Sequence, residues 1–264
     1  MSVLLVGGCG GSASQAPSPG SGGSVAPGET TGPGGTGTPE PTQGSGETVA
    51  PGDGSEAFSA ATTALDALDS YAFRVEINST STTGTTTTSS RTMMSGVVVN
   101  SPAEASSLVQ AELDDAGNIT SGTEIVIIGA EAWLRSLPGD EPWTAIPAAQ
   151  AGAFTQSMAA FRPEQMFSMY FAGIGGNFGV VGTETKNGVA TTRYKGDEAI
   201  GAMLGAIAGF QGSWSSEVWI ANDGGFLVRS EASAQAATGA DAGSYTIVVD
   251  ITEPNSAGPI EPPA

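Results

Sequence analysis

Every Trp, Tyr and Phe of this 264-residue chain lies at or after Phe58, while Gly and Pro crowd the stretch before Asp53. A packed core needs large apolar side chains, and a Gly/Pro-rich stretch without them cannot offset the entropy of ordering its backbone. The chain therefore divides into a head that builds no core and a body that does. One folded domain is expected, over residues 56–264.

The head has two parts. Val3-Leu4-Leu5-Val6-Gly7-Gly8-Cys9-Gly10 is an apolar run ending in small residues and the chain's one cysteine. This resembles a bacterial lipobox, with Val6 three before the cysteine and small Gly7 and Gly8 beside it. The resemblance implies lipid on Cys9, an extracytoplasmic location and a membrane as first partner. Residues 1–9 are then the remnant of a signal segment. No Lys or Arg precedes the short apolar run, as a signal peptide requires, so the natural start is expected upstream. Two or more acyl chains, at about 0.8 kcal/mol per buried methylene, would anchor the chain stably. From residue 10 to 55 the sequence is Gly, Ser, Pro and Thr with scattered acids, for example Gly32-Pro33-Gly34-Gly35 and Pro39-Glu40-Pro41. It reads as a flexible tether with a span of roughly 35–40 Å.

Charge and composition remove several function classes. The formal charge is -19, with eight Lys and Arg spread from Arg74 to Arg229, so no basic cluster exists to bind nucleic acid. The absence of histidine excludes Ser-His-Asp and Cys-His catalysis and every zinc motif that needs an imidazole. A lone cysteine forms no intrachain disulfide or metal cluster. Carboxylate pairs remain chemically open to an enzyme, but no spacing picks one out. Asp114, Asp115 and Asn118 are oxygen-bearing and close, yet they do not match a calcium loop and read as a turn. No catalytic residue, metal or cofactor is assigned, and a non-enzymatic monomer is expected.

Within the body, Phe58, Ala61, Leu65 and Leu68 recur at helical spacing between Ser55 and Ser70. Phe73, Val75 and Ile77 then alternate with Arg74, Glu76 and Asn78, the pattern of a strand with one wet face. A Thr-rich run from Thr80 to Thr92 continues as exposed strand around Gly84. Further strands are expected at Leu108–Asp114, Ile119–Ile128 and Ala132–Arg135. Asn187-Gly188 is a hairpin signal between Val180–Thr185 and Val189–Tyr194. Trp214–Ile220, Phe226–Ser233 and Tyr245–Ile251 complete a mostly antiparallel sheet.

Two helical stretches interrupt it. Pro163 suits a first helical turn, and Met166, Phe167, Met169, Tyr170 and Phe171 after it are apolar nearly all round, so the segment is buried or covers something greasy. Asp197 caps the second, where Ile200, Met203, Leu204, Ile207 and Phe210 share a face beside Gly201, Gly205 and Gly209. Each Gly costs about 1 kcal/mol in a helix interior, so the stripe has a packing purpose: a tight seat on the sheet, or room for a ligand. Together with Phe154, Met158 and Phe161, these side chains supply soft, adaptable apolar surface. Cavity lining and ordinary core are both consistent with that composition.

The order of elements resembles the LppX/LprG lipoproteins and, more distantly, the LolA/LolB carriers. The residues that carry the likeness are Leu65-Asp66-Ala67-Leu68-Asp69-Ser70-Tyr71, Ile125-Val126-Ile127-Ile128-Gly129-Ala130-Glu131-Ala132-Trp133, Trp143-Thr144-Ala145-Ile146-Pro147, Glu217-Val218-Trp219-Ile220 and Ile260-Glu261-Pro262-Pro263. The resemblance implies an α+β fold: a strongly bent antiparallel half-barrel with helices over a hydrophobic cavity, binding or carrying acylated lipids or lipoproteins. The cavity residues it nominates are Met166, Phe167, Met169, Phe171, Met203, Leu204, Gly205 and Ile207. With Gly205 in that lining, Gly205→Leu is expected to fill part of the cavity, keep its stability and lose ligand. The alternative is a surface or regulatory protein of the same fold that binds a protein partner.

Overall fold

The computed structural model describes residues 54–171, 177–236 and 242–264. Cys9 and nearly all of the expected tether lie outside these residues. The body opens with α1 (Gly54–Asp66), so the last two residues assigned to the tether belong to this helix. Phe58, Ala61 and Leu65 form its buried stripe, and Leu68 follows where the chain turns.

Among the described residues, eleven strands form one antiparallel sheet. In chain order they are β1 (Ser70–Thr83), β2 (Thr86–Val99), β3 (Ala105–Leu113), β4 (Ile119–Ile128), β5 (Glu131–Leu137), β6 (Thr144–Ala145), β7 (Phe178–Lys186), β8 (Val189–Gly196), β9 (Ser213–Ala221), β10 (Leu227–Ala236) and β11 (Ala242–Thr252). Spatially they run β6-β5-β4-β3-β2-β1-β11-β10-β9-β8-β7. Each half is a meander of neighbours, and the β1–β11 pair joins the halves (Phe73 opposite Ile251, Val75 opposite Val249). β6 and β7 are the two edges, so the sheet does not close into a barrel. The expected half-barrel is the fold.

Directly opposite residues share a face, so the register sorts the sheet's two surfaces. The inner surface carries Tyr71, Phe73, Val75 and Ile77 of β1, Met94 and Val98 of β2, Leu108 of β3 and Ile125 and Ile127 of β4. Val218 and Ile220 of β9 and Ile247, Val249 and Ile251 of β11 extend it, and most of these are buried in one hydrophobic cluster with the helices. The outer surface carries ion pairs, including Arg229 with Asp250 at 2.7 Å and Arg135 with Glu124 at 2.6 Å. Partly exposed pairs of this kind contribute little to stability.

Curvature is locally marked by glycine. A Cβ at Gly96 of β2 would lie 2.0 Å from the Ser107 carbonyl oxygen, and one at Gly122 of β4 2.5 Å from that of Gln110. Both carbonyls belong to β3, and only a residue without a side chain lets its neighbours curl so close to it.

Among the described residues, three helices besides α1 cover the sheet: α2 (Ala148–Ala159), α3 (Pro163–Phe171) and α4 (Glu198–Ala208). Helix α2 is an addition to the two helical stretches expected after residue 100. It starts after Pro147 with no side-chain cap, and Ala151 is its one buried residue in the interior of the helix. Helix α4 is capped as expected: the Asp197 carboxylate accepts from the Ala199 and Ile200 amides at 2.9 and 3.3 Å. Gly209 lies outside it as the left-handed C-cap, at φ 66°. Of the stripe of three glycines, Gly201 and Gly205 are thus the helical members. The Asn187-Gly188 turn is also as read, with φ of 49° and 80°, the left-handed pair that a two-residue hairpin requires.

Candidate functional site

The helices do not fill the trough completely. A cavity of about 120 Å³ remains between α3, α4 and the strands β9 to β11. Pro163, Met166 and Phe167 of α3 and Leu204, Ile207 and Ala208 of α4 form its roof. The floor comes from alternate residues of adjoining strands: Leu227, Ser230 and Ala232 of β10, and Tyr245, Ile247 and Val249 of β11. Trp214 of β9 closes one end, packed against Tyr245 and Phe210 with ring centroids 5.6 and 6.3 Å away.

This wall is mainly hydrocarbon, with Ser230, Trp214 and Tyr245 as its polar-tipped members. Glu231 borders the cavity, but Ser230 and Ala232 beside it are buried inward, so its carboxylate stands on the outer face and pairs there with Arg229 at 2.9 Å. Among the described lining residues there is no Lys or Arg, hence no partner for an anionic headgroup inside. Chemically the site can shelter apolar matter and little else. Its size sets a bound: an engineered apolar cavity of about 150 Å³ accepts benzene, whereas sites for larger ligands run to about 300–1,000 Å³. As it stands the cavity lies below that range.

The nominated residues divide as follows. Met166, Phe167, Leu204 and Ile207 line the cavity. Ile207 is at its rim, 51% exposed. Met203 is half-buried and packs on the core cluster outside the lining. Met169 and Phe171 belong to α3, but their side chains lie outside the described residues. Gly205 lies apart from this lining: it faces Trp214, and a Cβ there would sit 3.1 Å from the indole Nε1 and 3.2 Å from the Phe210 carbonyl oxygen. The physical reason is that Trp214 occupies the space beside α4, itself held by donation of its Nε1 hydrogen to that same carbonyl at 3.2 Å. The glycine lets Trp214 approach α4 closely, and it also borders a separate, open groove of about 430 Å³ with Phe210 and Gly212. On the other side of the trough, α2 covers β3 to β5. Met158 lines a smaller gap of about 70 Å³ with Ile127 and Ala159, while Phe154 and Phe161 pack on the core.

Sequence reasoning missed the polar group at the start of α3. Glu164 is 2% exposed and accepts a hydrogen bond of 2.5 Å from the hydroxyl of Tyr71, which is 0% exposed. Arg162 forms an ion pair with the same carboxylate. An acid after Pro163 reads as an ordinary partner of the helix N-terminus; its burial depends on a tyrosine 93 residues earlier, and no local signal announces that.

The turn at Asp114 behaves as a turn. Its carboxylate accepts from the Asn118 backbone amide at 2.8 Å and side-chain amide at 3.0 Å, and the side-chain bond first, then the backbone bond, holds its pKa below the usual carboxylate range. Those oxygens are engaged within the turn. No described helix is long and apolar enough to cross a membrane.

No protein-family model matches the chain, and no curated protein does. Solved structures do. Lipoprotein LppX of Mycobacterium tuberculosis aligns with 78% of this chain and 97% of its own, at 20% identity and a TM-score of 0.40. LprF of Mycobacterium bovis aligns with 81% of this chain and 99% of its own, at 14% identity and 0.45. A LolA superfamily protein of Nitrosomonas europaea aligns with 79% of this chain and 96% of its own, at 10% identity and 0.25.

Proposed function

We propose that this chain is an extracytoplasmic lipoprotein, anchored to a membrane by lipid on Cys9, whose half-barrel binds or carries acylated lipid and catalyses no reaction. The observation that carries the reading is the cavity under α3 and α4. An ordinary helix-on-sheet core packs to the density of an organic crystal, yet here an apolar space remains at that interface, with Met166 and Phe167 above it and Ala232 below. Mainly apolar space of this kind favours apolar ligands, which gain contacts with its walls. The lipobox residues Val6 to Cys9 and the Gly/Pro-rich stretch after them supply the anchor and tether in the same reading.

Native mass spectrometry of the purified chain tests it, with a fluorescent fatty acid titrated in parallel. Co-purifying acyl lipid, or saturable uptake of the probe, is expected. A protein that emerges empty from a lipid-rich host and takes up no probe overturns the reading in favour of a partner-binding role.

A further inference from the structure

Helix α3 roofs the cavity, and its first turn is tied down by a buried charged cluster. The Tyr71 hydroxyl donates to Glu164 Oε2 at 2.5 Å. Arg162, just before the helix, pairs with the other oxygen of Glu164. The guanidinium also donates to Asn100 Oδ1 at 2.7 Å and reaches Glu104 at 3.2 Å and Asp66 at 3.9 Å. The start of α3 is thereby linked to α1 through Asp66, to β1 through Tyr71, and to the β2–β3 connection through Asn100 and Glu104. Burial, reinforced by the neighbouring carboxylate, pushes the Tyr71 phenol far above its ordinary pKa, so it stays a donor.

A cluster of this kind is a poor device for raising stability. Removing both charges from water costs several kcal/mol per ion, and well-packed apolar replacements are often neutral or stabilising. What directional bonds supply that apolar contact does not is a unique position. Met166 and Phe167 follow Glu164 by two and three residues, within the same turn and the next, so a slide or tilt of α3 about this point moves the cavity roof itself. The contact of Phe167 with Phe58 at 5.6 Å is non-directional.

We infer that Glu164 is a positioning residue that, through Tyr71 and Arg162, holds α3 in place as the roof of the cavity and so governs how fast ligand leaves. The release step rests on the lipid-binding reading; the positioning does not.

Two measurements on the full chain test it: the dissociation rate of a fluorescent fatty acid, and hydrogen exchange of the α3 amides. The charge-free double variant Arg162→Met, Glu164→Leu is expected to keep its melting temperature or raise it. In the same variant, probe release and α3 exchange should both accelerate at least about tenfold, the size expected from losing one hydrogen bond to a charged group, with α4 exchange unchanged. Tyr71→Phe, which carries the test should the double variant misfold, accelerates both to a smaller extent. Glu131→Gln, at an exposed position on β5 outside the cluster, leaves both unchanged. Unchanged α3 exchange in the first two variants overturns the inference, as does faster release that merely tracks a falling melting temperature. A wild-type chain that binds no probe overturns the release step together with the lipid reading, and α3 exchange then decides the positioning by itself.

Discussion

Gly205 and Trp214 are in van der Waals register: the indole Nε1 stands 3.1 Å from where a Cβ of Gly205 would be, and it is held there by the Phe210 carbonyl. Gly205→Leu therefore sets a Cβ against Trp214 and Phe210 more tightly than van der Waals contact allows, so they must give way. Overpacking costs about 1–3 kcal/mol, only partly offset by the roughly 1 kcal/mol that Leu gains over Gly in helix propensity. A lowered melting temperature in thermal unfolding is the expected result, and a variant at least as stable as wild type contradicts this account of the stripe.

Cavity filling is expected from the floor instead. Ala232 is buried on β10 and lines the cavity. Ala232→Leu adds apolar volume to existing space, so the melting temperature holds or rises while fluorescent fatty-acid binding falls. Equal binding by variant and wild type would mean that the probe sits elsewhere.

Phe167 spans both roof and core, being 4% exposed and in contact with Phe58. Phe167→Ala should cost about 3–5 kcal/mol, the range for deleting a buried aromatic ring, as read from the denaturant midpoint. A loss under about 1 kcal/mol would place that ring in a slack environment.

The cap of α4 titrates. Asn177 donates to the Asp197 carboxylate, and this bond first, then the Ile200 and Ala199 amides, holds its pKa below the ordinary value. A carboxylate depressed in the folded state stabilises above its unfolded pKa and loses that contribution as pH falls through the folded one. Wild type should thus melt above Asp197→Ala at neutral pH, and the gap should narrow as pH drops below the usual carboxylate range. Asp197→Asn, which still caps but does not ionise, should show no such narrowing. A gap independent of pH would separate the cap from the charge.

Much of this fold was legible because periodicity reports which face is wet. The alternation from Phe73 to Ile77, the Asn187-Gly188 turn and the Asp197 cap each lie within a few residues and need no distant partner. Helix α2 was not legible: Ala, Gly152, Gln and Ser from Ala148 onward leave no clear apolar stripe, and Pro147 offers no side chain as a cap. For the cavity, the all-round apolar sequence of α3 named Met166 and Phe167. The floor was hidden because Ser230, Ala232, Ile247 and Val249 look like any inward strand residues until register sets them side by side. The neighbour of Gly205 was hidden for a similar reason, since Trp214 lies on the next strand.

Four tryptophans occur in the chain, and the cavity wall contains one of them. Trp219 lies on the outer surface of β9, its indole bonded to Glu184 and its ring under the Lys186 ammonium at 4.3 Å; Trp143 stacks with Arg135 at 4.8 Å. Trp214 borders the apolar space directly. Its emission is therefore a built-in optical gauge of occupancy: hydrocarbon arriving beside that ring shifts its light to shorter wavelength, with no label attached, while Trp219 keeps a constant background.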